Sequence, residues 1–346
     1  MSEESRRILI VKLSSIGDVV QSLPVAGALR RRFPKAYIAW AVGPAAAEAV
    51  AGNPHLSEVL VVGGSVTYGG VRSLPPLASP RRLRRALHEI GFDTTLDLQG
   101  LLKSAAIAYL SGARERIGYC TLHEATFLFN NRRLVPDRRD VHAVESYLDF
   151  AEALGASRQP VEFTIAICDE DRRKAEALLG GRDRLAALIP GARWESKLWP
   201  AERFAAVADA LAEKAGLESV VIGAPADGAL AAAIAAAAKS PILDLTGRTT
   251  LKQAAEVFRR CRLTVGNDTG PLYISAAMGT PTVAVFGPTD ARRLGPYGEG
   301  HAKVVAEVDC APCRNRRCEG RTCMEAIEPE QVVEAALGLL GARQEA

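Results

Sequence analysis

The chain has 346 residues, more than one hydrophobic core usually supports, so two domains are expected. Hydrophobic residues make up 48% and charged residues 24%, an ordinary globular composition that excludes a disordered or collagen-like chain. The 43 Lys and Arg against 40 Asp and Glu leave a net charge of +3, too small by itself to imply a nucleic-acid partner.

Residues Met1 to Arg7 are polar and carry no secretory core, and no apolar run reaches the ~18 residues of a spanning helix. A cytoplasmic protein is therefore expected. Arg7 to Leu13 is a near-continuous apolar run, as for a strand covered on both faces. Ser14-Ser15-Ile16-Gly17-Asp18 follows, and helical spacing over 18–32 ends at Pro34. Strands near 36–42, 57–62, 93–98 and 115–118 then alternate with helices near 80–90, 99–110 and 141–154. Five arginines and no acid lie between Arg72 and Arg85, and a second basic stretch holds Arg114, Arg132, Arg133, Arg138 and Arg139. Such runs read as solvated faces, or as a rim for an anionic partner at a membrane surface.

The polar segment 155–160, ending in Pro160, is the expected linker. Beyond it strands fall near 186–189, 219–222, 242–245, 263–265 and 282–286. Helices lie near 200–215, 226–238, 251–260 and 271–278, with a last one near 329–340. This alternation predicts α/β architecture with parallel sheets, in two doubly wound halves facing a cleft. The domains are expected over 1–158 and 159–328, with 329–346 packing back on the first.

Several turns carry chemistry. Asp18 stands at a helix start at the carboxyl end of the first strand, where open parallel sheets bind ligands, although a lone Asp there reads at least as well as a helix cap. After the strand 186–189, Lys197 hangs on a loop between Trp194 and Trp199, where its ammonium could hold a phosphate as a point charge. Asp227 follows the next strand and suits either a ribose or a helix cap. The turn Gly266-Asn267-Asp268-Thr269-Gly270-Pro271 between strand and helix presents free backbone N–H groups and a positive dipole end to an anion, with Asp268 or Thr269 available to cap the helix. No dinucleotide fingerprint and no Walker loop occurs.

Four of the seven cysteines cluster as Cys310, Cys313, Cys318 and Cys323. A disulfide pair is disfavoured in a cytoplasmic chain, and four thiols could bind a structural Zn²⁺, although the spacing is not the usual paired one. The five histidines show no ligand spacing.

Together these pieces resemble the ADP-heptose:lipopolysaccharide heptosyltransferases of glycosyltransferase family 9. The resemblance is carried by Val11 to Val20 with Leu23-Pro24, by Asp97-Leu98-Gln99-Gly100-Leu101-Leu102-Lys103-Ser104, by Ser196 to Pro200, by Gly266 to Pro271 and by Phe286 to Asp290. It implies a GT-B fold of two Rossmann-like domains, the first binding a lipid-linked acidic saccharide acceptor and the second ADP-heptose. Asp18 would be the general base of an inverting transfer to the Kdo-bearing inner core, across the cleft from the donor. No metal is implied, because Lys197 with the Thr269 and Gly270 N–H groups would stabilise the leaving diphosphate. Asp227 would hold the ribose, and Asp268 would contact the sugar or brace its turn. Ser15, Gly17, Gln99, Lys103 and Arg132 would meet the acceptor. A monomer in peripheral contact with the inner membrane face is implied. The Gln99 to Ser104 run leans toward enzymes adding the first heptose, whereas the cysteine-rich tail resembles other members. Other acceptors, another nucleotide sugar or a non-catalytic nucleotide-sugar-binding protein are the alternatives. Two positions depart from the family. Tyr273 stands where members carry histidine, and a phenol cannot become cationic near neutral pH. Ala192 and Arg193 replace hydroxyl residues before the lysine loop.

Overall fold

The computed structural model describes residues 6–64, 70–119, 123–135 and 140–342; Arg138 and Arg139 of the second basic stretch lie outside them. The chain divides into two compact units, Met1–Ala166 and Ile167–Ala346, a few residues beyond the expected boundary.

The first unit opens with β1 (Arg7–Val11), α1 (Ile16–Ser22), α2 (Pro24–Arg32), β2 (Tyr37–Val42) and α3 (Ala47–Val50). Next come β3 (Glu58–Val62), β4 (Val71–Leu74), α4 (Pro80–Ile90), β5 (Thr94–Asp97) and α5 (Leu102–Leu110). It closes with β6 (Glu115–Tyr119), β7 (Arg132–Leu134) and α6 (Ala143–Glu152). Among the described residues these strands form a seven-stranded sheet, β4-β3-β2-β1-β5-β6-β7, paired in parallel throughout. Ile8, Leu9, Ile10 and Val11 are fully buried, which is why β1 reads as an unbroken apolar run. The single helix expected over 18–32 is two, because Pro24 has no N–H to continue α1 and instead opens α2.

The second unit runs α7 (Asp169–Leu179), β8 (Leu185–Ile189), α8 (Ala201–Ala215), β9 (Glu218–Val221) and α9 (Gly228–Ala237). It continues with β10 (Ile242–Asp244), α10 (Leu251–Arg260), β11 (Leu263–Asn267), α11 (Gly270–Ala277) and β12 (Thr282–Phe286). Last come α12 (Ala291–Leu294), β13 (His301–Val305), α13 (Thr322–Glu325) and α14 (Pro329–Ala342). The described strands form a parallel six-stranded sheet, β10-β9-β8-β11-β12-β13.

The C-terminal helix α14, expected against the first domain, packs on α8 and on β11, β12 and β13 of its own unit. Its apolar residues Val332, Val333 and Ala336 join that core. Trp199 fastens the approach to it: the ring is buried, stands edge-on to Phe204 at 5.0 Å, and donates Nε1–H to the Ile327 carbonyl at 3.0 Å. Trp199→Ala is expected to lower unfolding free energy by about 3–5 kcal/mol, the usual range for emptying an aromatic core site. Urea titration reads it, and a loss under about 1 kcal/mol would show that α14 is held elsewhere.

Candidate functional site

In each sheet the strand order reverses beside the first strand of the unit. From β1 the chain steps outward through β2, β3 and β4, then returns on the other side as β5; β8 and β11 flank the matching point in the second sheet. Loops leaving the carboxyl ends of such strands part and open a crevice. The turn that leaves β1 leads into α1, with Asp18 in its first turn, and the loop carrying Gln99 leaves β5.

Gln99 ties those two loops together. Its Oε1 accepts from the Leu13 and Ser14 N–H groups at 2.7 and 3.2 Å, and its Nε2 donates to Ser14 Oγ at 3.2 Å. Buried Asp97 fixes the second loop from below, accepting the Gln99 and Gly100 N–H groups at 3.2 and 3.0 Å. Burial raises the Asp97 pKa, although hydrogen bonds pull it back.

Asp18 does two things at once. Its Oδ2 accepts the Ser15 N–H at 3.0 Å and the Ser15 hydroxyl at 2.7 Å, which fastens the start of α1 as a helix cap would. Its Oδ1 accepts the Tyr147 hydroxyl at 3.3 Å, reaching in from α6. Behind them lies Lys12, 4% exposed, whose Nζ donates to Tyr147 Oη at 2.9 Å. Burial works to raise the Asp18 pKa, but the Lys12 charge, the Ser15 bonds and Tyr147 outweigh it and hold the carboxyl below its ordinary value. Burial dominates for Lys12 and lowers its pKa, against the attraction of Asp18 and Asp97. The result is an ionised carboxylate held by a fixed turn and a buried cation one tyrosine away.

Of the other residues expected here, Gly17 is buried in the turn and Ser15 is exposed beside Asp18. Lys103, exposed on the first turn of α5, is near enough to depress Lys12 further. Arg132 is not drawn into this group. On edge strand β7 its guanidinium pairs with Glu115 at 2.7 Å and donates to the Ala153 carbonyl at 2.6 Å. Lys12 and Tyr147 escaped sequence reading. A lysine inside an otherwise apolar strand was the available signal for the first, whereas a tyrosine on an amphipathic helix looks like any core residue.

The second unit builds its site the same way. Asn267 Nδ2 bridges from the end of β11 to the Pro190 carbonyl after β8 at 2.7 Å, joining the loops that bear Asp268 and Lys197. Asp268 is 6% exposed and takes three donors: Lys197 Nζ at 2.5 Å and Thr289 Oγ1 at 2.6 Å on Oδ2, and Tyr273 Oη at 2.5 Å on Oδ1. It therefore does not cap α11, and Thr269 at the cap position makes no side-chain bond either, so both cap expectations are corrected. The carboxylate is worth more to three side-chain donors than to one backbone N–H, and α11 keeps its amino end, with Thr269 and Gly270, open to an anion. Lys197 Nζ lies 4.3 Å from the centre of the Trp194 ring. Ser196 Oγ and Asn267 Oδ1 at this corner are buried without a hydrogen-bond partner among the described residues, the kind of atoms a ligand or ordered water satisfies.

Asp227 opens α9 after β9, and its Oδ2 accepts the Ala224 N–H at 2.8 Å. A Cβ placed on Gly191 would lie 2.5 Å from that carboxylate, so only glycine lets the loop after β8 run against Asp227. Thr289 was legible only as part of a motif, without a role; its hydroxyl completes the Asp268 shell.

The cysteine quartet does not assemble as the expected zinc site. Cys323 is buried beside Gly287 and Met324, while Cys310 and Cys313 are exposed and Cys318 is half-buried. Among the described residues no group of three or more His, Cys, Asp or Glu is arranged to hold a metal ion. Burial, then the neighbouring Cys310 and Cys313, raises the Cys323 pKa.

Residues 80–323 match the family described as "Glycosyltransferase family 9 (heptosyltransferase)". The chain is 30% identical to lipopolysaccharide heptosyltransferase 1 of Pseudomonas aeruginosa, over 90% of this chain and 87% of that protein. It superposes on a family 9 glycosyl transferase from Veillonella parvula with a TM-score of 0.82 at 26% identity, covering 99% of both chains. The E. coli heptosyltransferase WaaC, solved with ADP, gives a TM-score of 0.73 at 24% identity over 98% of this chain and 100% of that one.

Proposed function

We propose that this chain, which belongs to glycosyltransferase family 9, the heptosyltransferases, moves a heptose from ADP-L-glycero-D-manno-heptose to the Kdo-bearing inner core of lipopolysaccharide. That it is a glycosyltransferase follows from the family; the donor, acceptor and residue roles are our reading of the two sites. The observation that carries this reading is the Lys197–Asp268 pair beside the open amino end of α11 at the reversal point of the second sheet. A diphosphate fits there, with the ribose near Asp227.

In the reaction, Asp18 accepts the proton of the acceptor hydroxyl. That oxygen bonds to the anomeric carbon from the face opposite the leaving group, the anomeric carbon–phosphate oxygen bond breaks, and ADP departs with the electron pair. Lys197 and the α11 N–H groups hold the charge that develops on the diphosphate, so no step calls for a metal. The exposed arginines of α4, Arg81, Arg82, Arg84 and Arg85, suit an acidic, lipid-linked acceptor at the cytoplasmic membrane face. Among the described residues no helix is long and apolar enough to cross a membrane.

The test is ADP release from purified protein with ADP-heptose and Kdo-bearing lipid A. Release that requires both substrates supports the reading. ADP binding without transfer moves the acceptor to an already heptosylated core, and no ADP binding rejects the donor site.

Lys12 gives a further expectation. Its charge is the largest influence opposing the effect of burial on Asp18, so Lys12→Met raises the Asp18 pKa. The acid limb of kcat/KM should then move to higher pH. A limb that stays put would disconnect Lys12 from the base.

A further inference from the structure

Lys197 is the cation the fold sets at the diphosphate position, yet much of its charge is already answered. It pairs with Asp268, and Tyr273 points its hydroxyl at the same carboxylate. The Asp268 cluster thus contains one positive and one negative charge, whereas a nucleoside diphosphate brings two to three negative charges. The cysteine-rich tail supplies what is missing. The Arg316 guanidinium lies 4.8 Å from the centre of the Trp194 ring, the ring that also carries Lys197 at 4.3 Å. The two charges therefore stand no farther apart than those two distances combined.

The tail is fixed at this place. The Arg314 N–H donates to the Pro288 carbonyl at 2.8 Å, one residue before the threonine that bonds Asp268. Farther along, Cys323 and Met324 press on Gly287 so closely that a Cβ there would lie 2.4 Å from the Met324 sulfur. Between these anchors Asn315 Oδ1 accepts the Arg317 N–H at 3.1 Å and turns the backbone across Arg316. Arg316 itself is exposed, and among the described residues it makes no ion pair.

We propose that Arg316 is a second binding cation for the donor diphosphate, held in place by Trp194 and presented by the cysteine-rich tail. This rests on the nucleotide-sugar reading of the second unit. A guanidinium offers a planar fork to phosphate oxygens, and stacking on an indole leaves that fork free along its edge. The tail thereby adds a positive charge beside a lysine already paired with Asp268.

Titration calorimetry of the full chain with ADP and with adenosine tests this, using wild type, Arg316→Ala and Arg316→Lys. Arg316→Ala should weaken ADP binding by about tenfold, the loss of one charge-assisted contact, and leave adenosine affinity unchanged. Arg316→Lys should recover part of the ADP affinity, and the salt dependence of ADP binding should flatten in the alanine variant. Unchanged ADP affinity in Arg316→Ala overturns the proposal while the donor site stands. Equal weakening of ADP and adenosine also overturns it, since it marks a tail that only shapes the pocket. Wild-type protein that binds no ADP removes the nucleotide reading and this proposal with it.

Discussion

Asp18→Asn is expected to lower turnover by about 10²–10⁴-fold, the usual worth of a positioned general base. The amide keeps the size of the carboxylate and one oxygen for the Ser15 N–H, so α1 should still start where it does. It loses the basic oxygen facing Tyr147. Donor affinity should hardly move, because Asp18 belongs to the first unit and the residues proposed to hold the diphosphate to the second. Wild-type pH dependence should agree: Lys12, Ser15 and Tyr147 lower the Asp18 pKa, so the acid limb of activity should lie below the ordinary aspartate value. Steady-state kinetics with both substrates saturating decides the matter. A loss of less than about threefold would take the base role away from Asp18.

Lys197→Met should act on the other half of the reaction, lowering kcat by about 10²–10³-fold, as removal of one preorganised electrostatic contact does. It should also cost about 1–3 kcal/mol of stability, because Asp268 loses a donor while Tyr273 and Thr289 remain on it. Coupling it with Asp268→Asn separates the effects. The double variant carries no uncompensated buried charge and should regain most of the stability, but none of the turnover. Recovery of turnover in the double variant would mean that Lys197 only neutralises Asp268.

Both sites were legible because topology and patterning agree. Fully apolar strands such as β1 and β8 announce a parallel sheet, and the polar turns that interrupt the pattern fall at its carboxyl edge. Reading failed where one face of an element is wet. Strands β4, β7 and β13 lie at sheet edges and carry residues such as Arg72, Arg132 and Lys303 that break any apolar run. Helix α7 begins Asp169-Glu170-Asp171 and buries little beyond Ala175 and Leu179. Within the sites, the hidden part was partnership across long stretches of sequence. Arg132 looked like a free cation until Glu115 and Ala153 claimed it. Asp268 looked like a cap until three side chains from three other places in the chain converged on it. The cysteine spacing showed four thiols near one another in sequence, but among the described residues they do not form a group arranged to hold a metal ion.

The bond from Tyr147 to Asp18 spans 129 positions of chain. During synthesis at about 5–20 residues per second, roughly ten seconds separate the emergence of Asp18 from that of the helix that completes its surroundings. For that interval the residue that follows β1, Lys12, is destined for burial with no hydroxyl to meet it, so settling of β1 into a finished sheet is disfavoured until α6 arrives. The first unit should consequently resist early, partial consolidation on the ribosome. Truncated chains ending before residue 147 should remain open to protease, and those extended past α6 should become resistant.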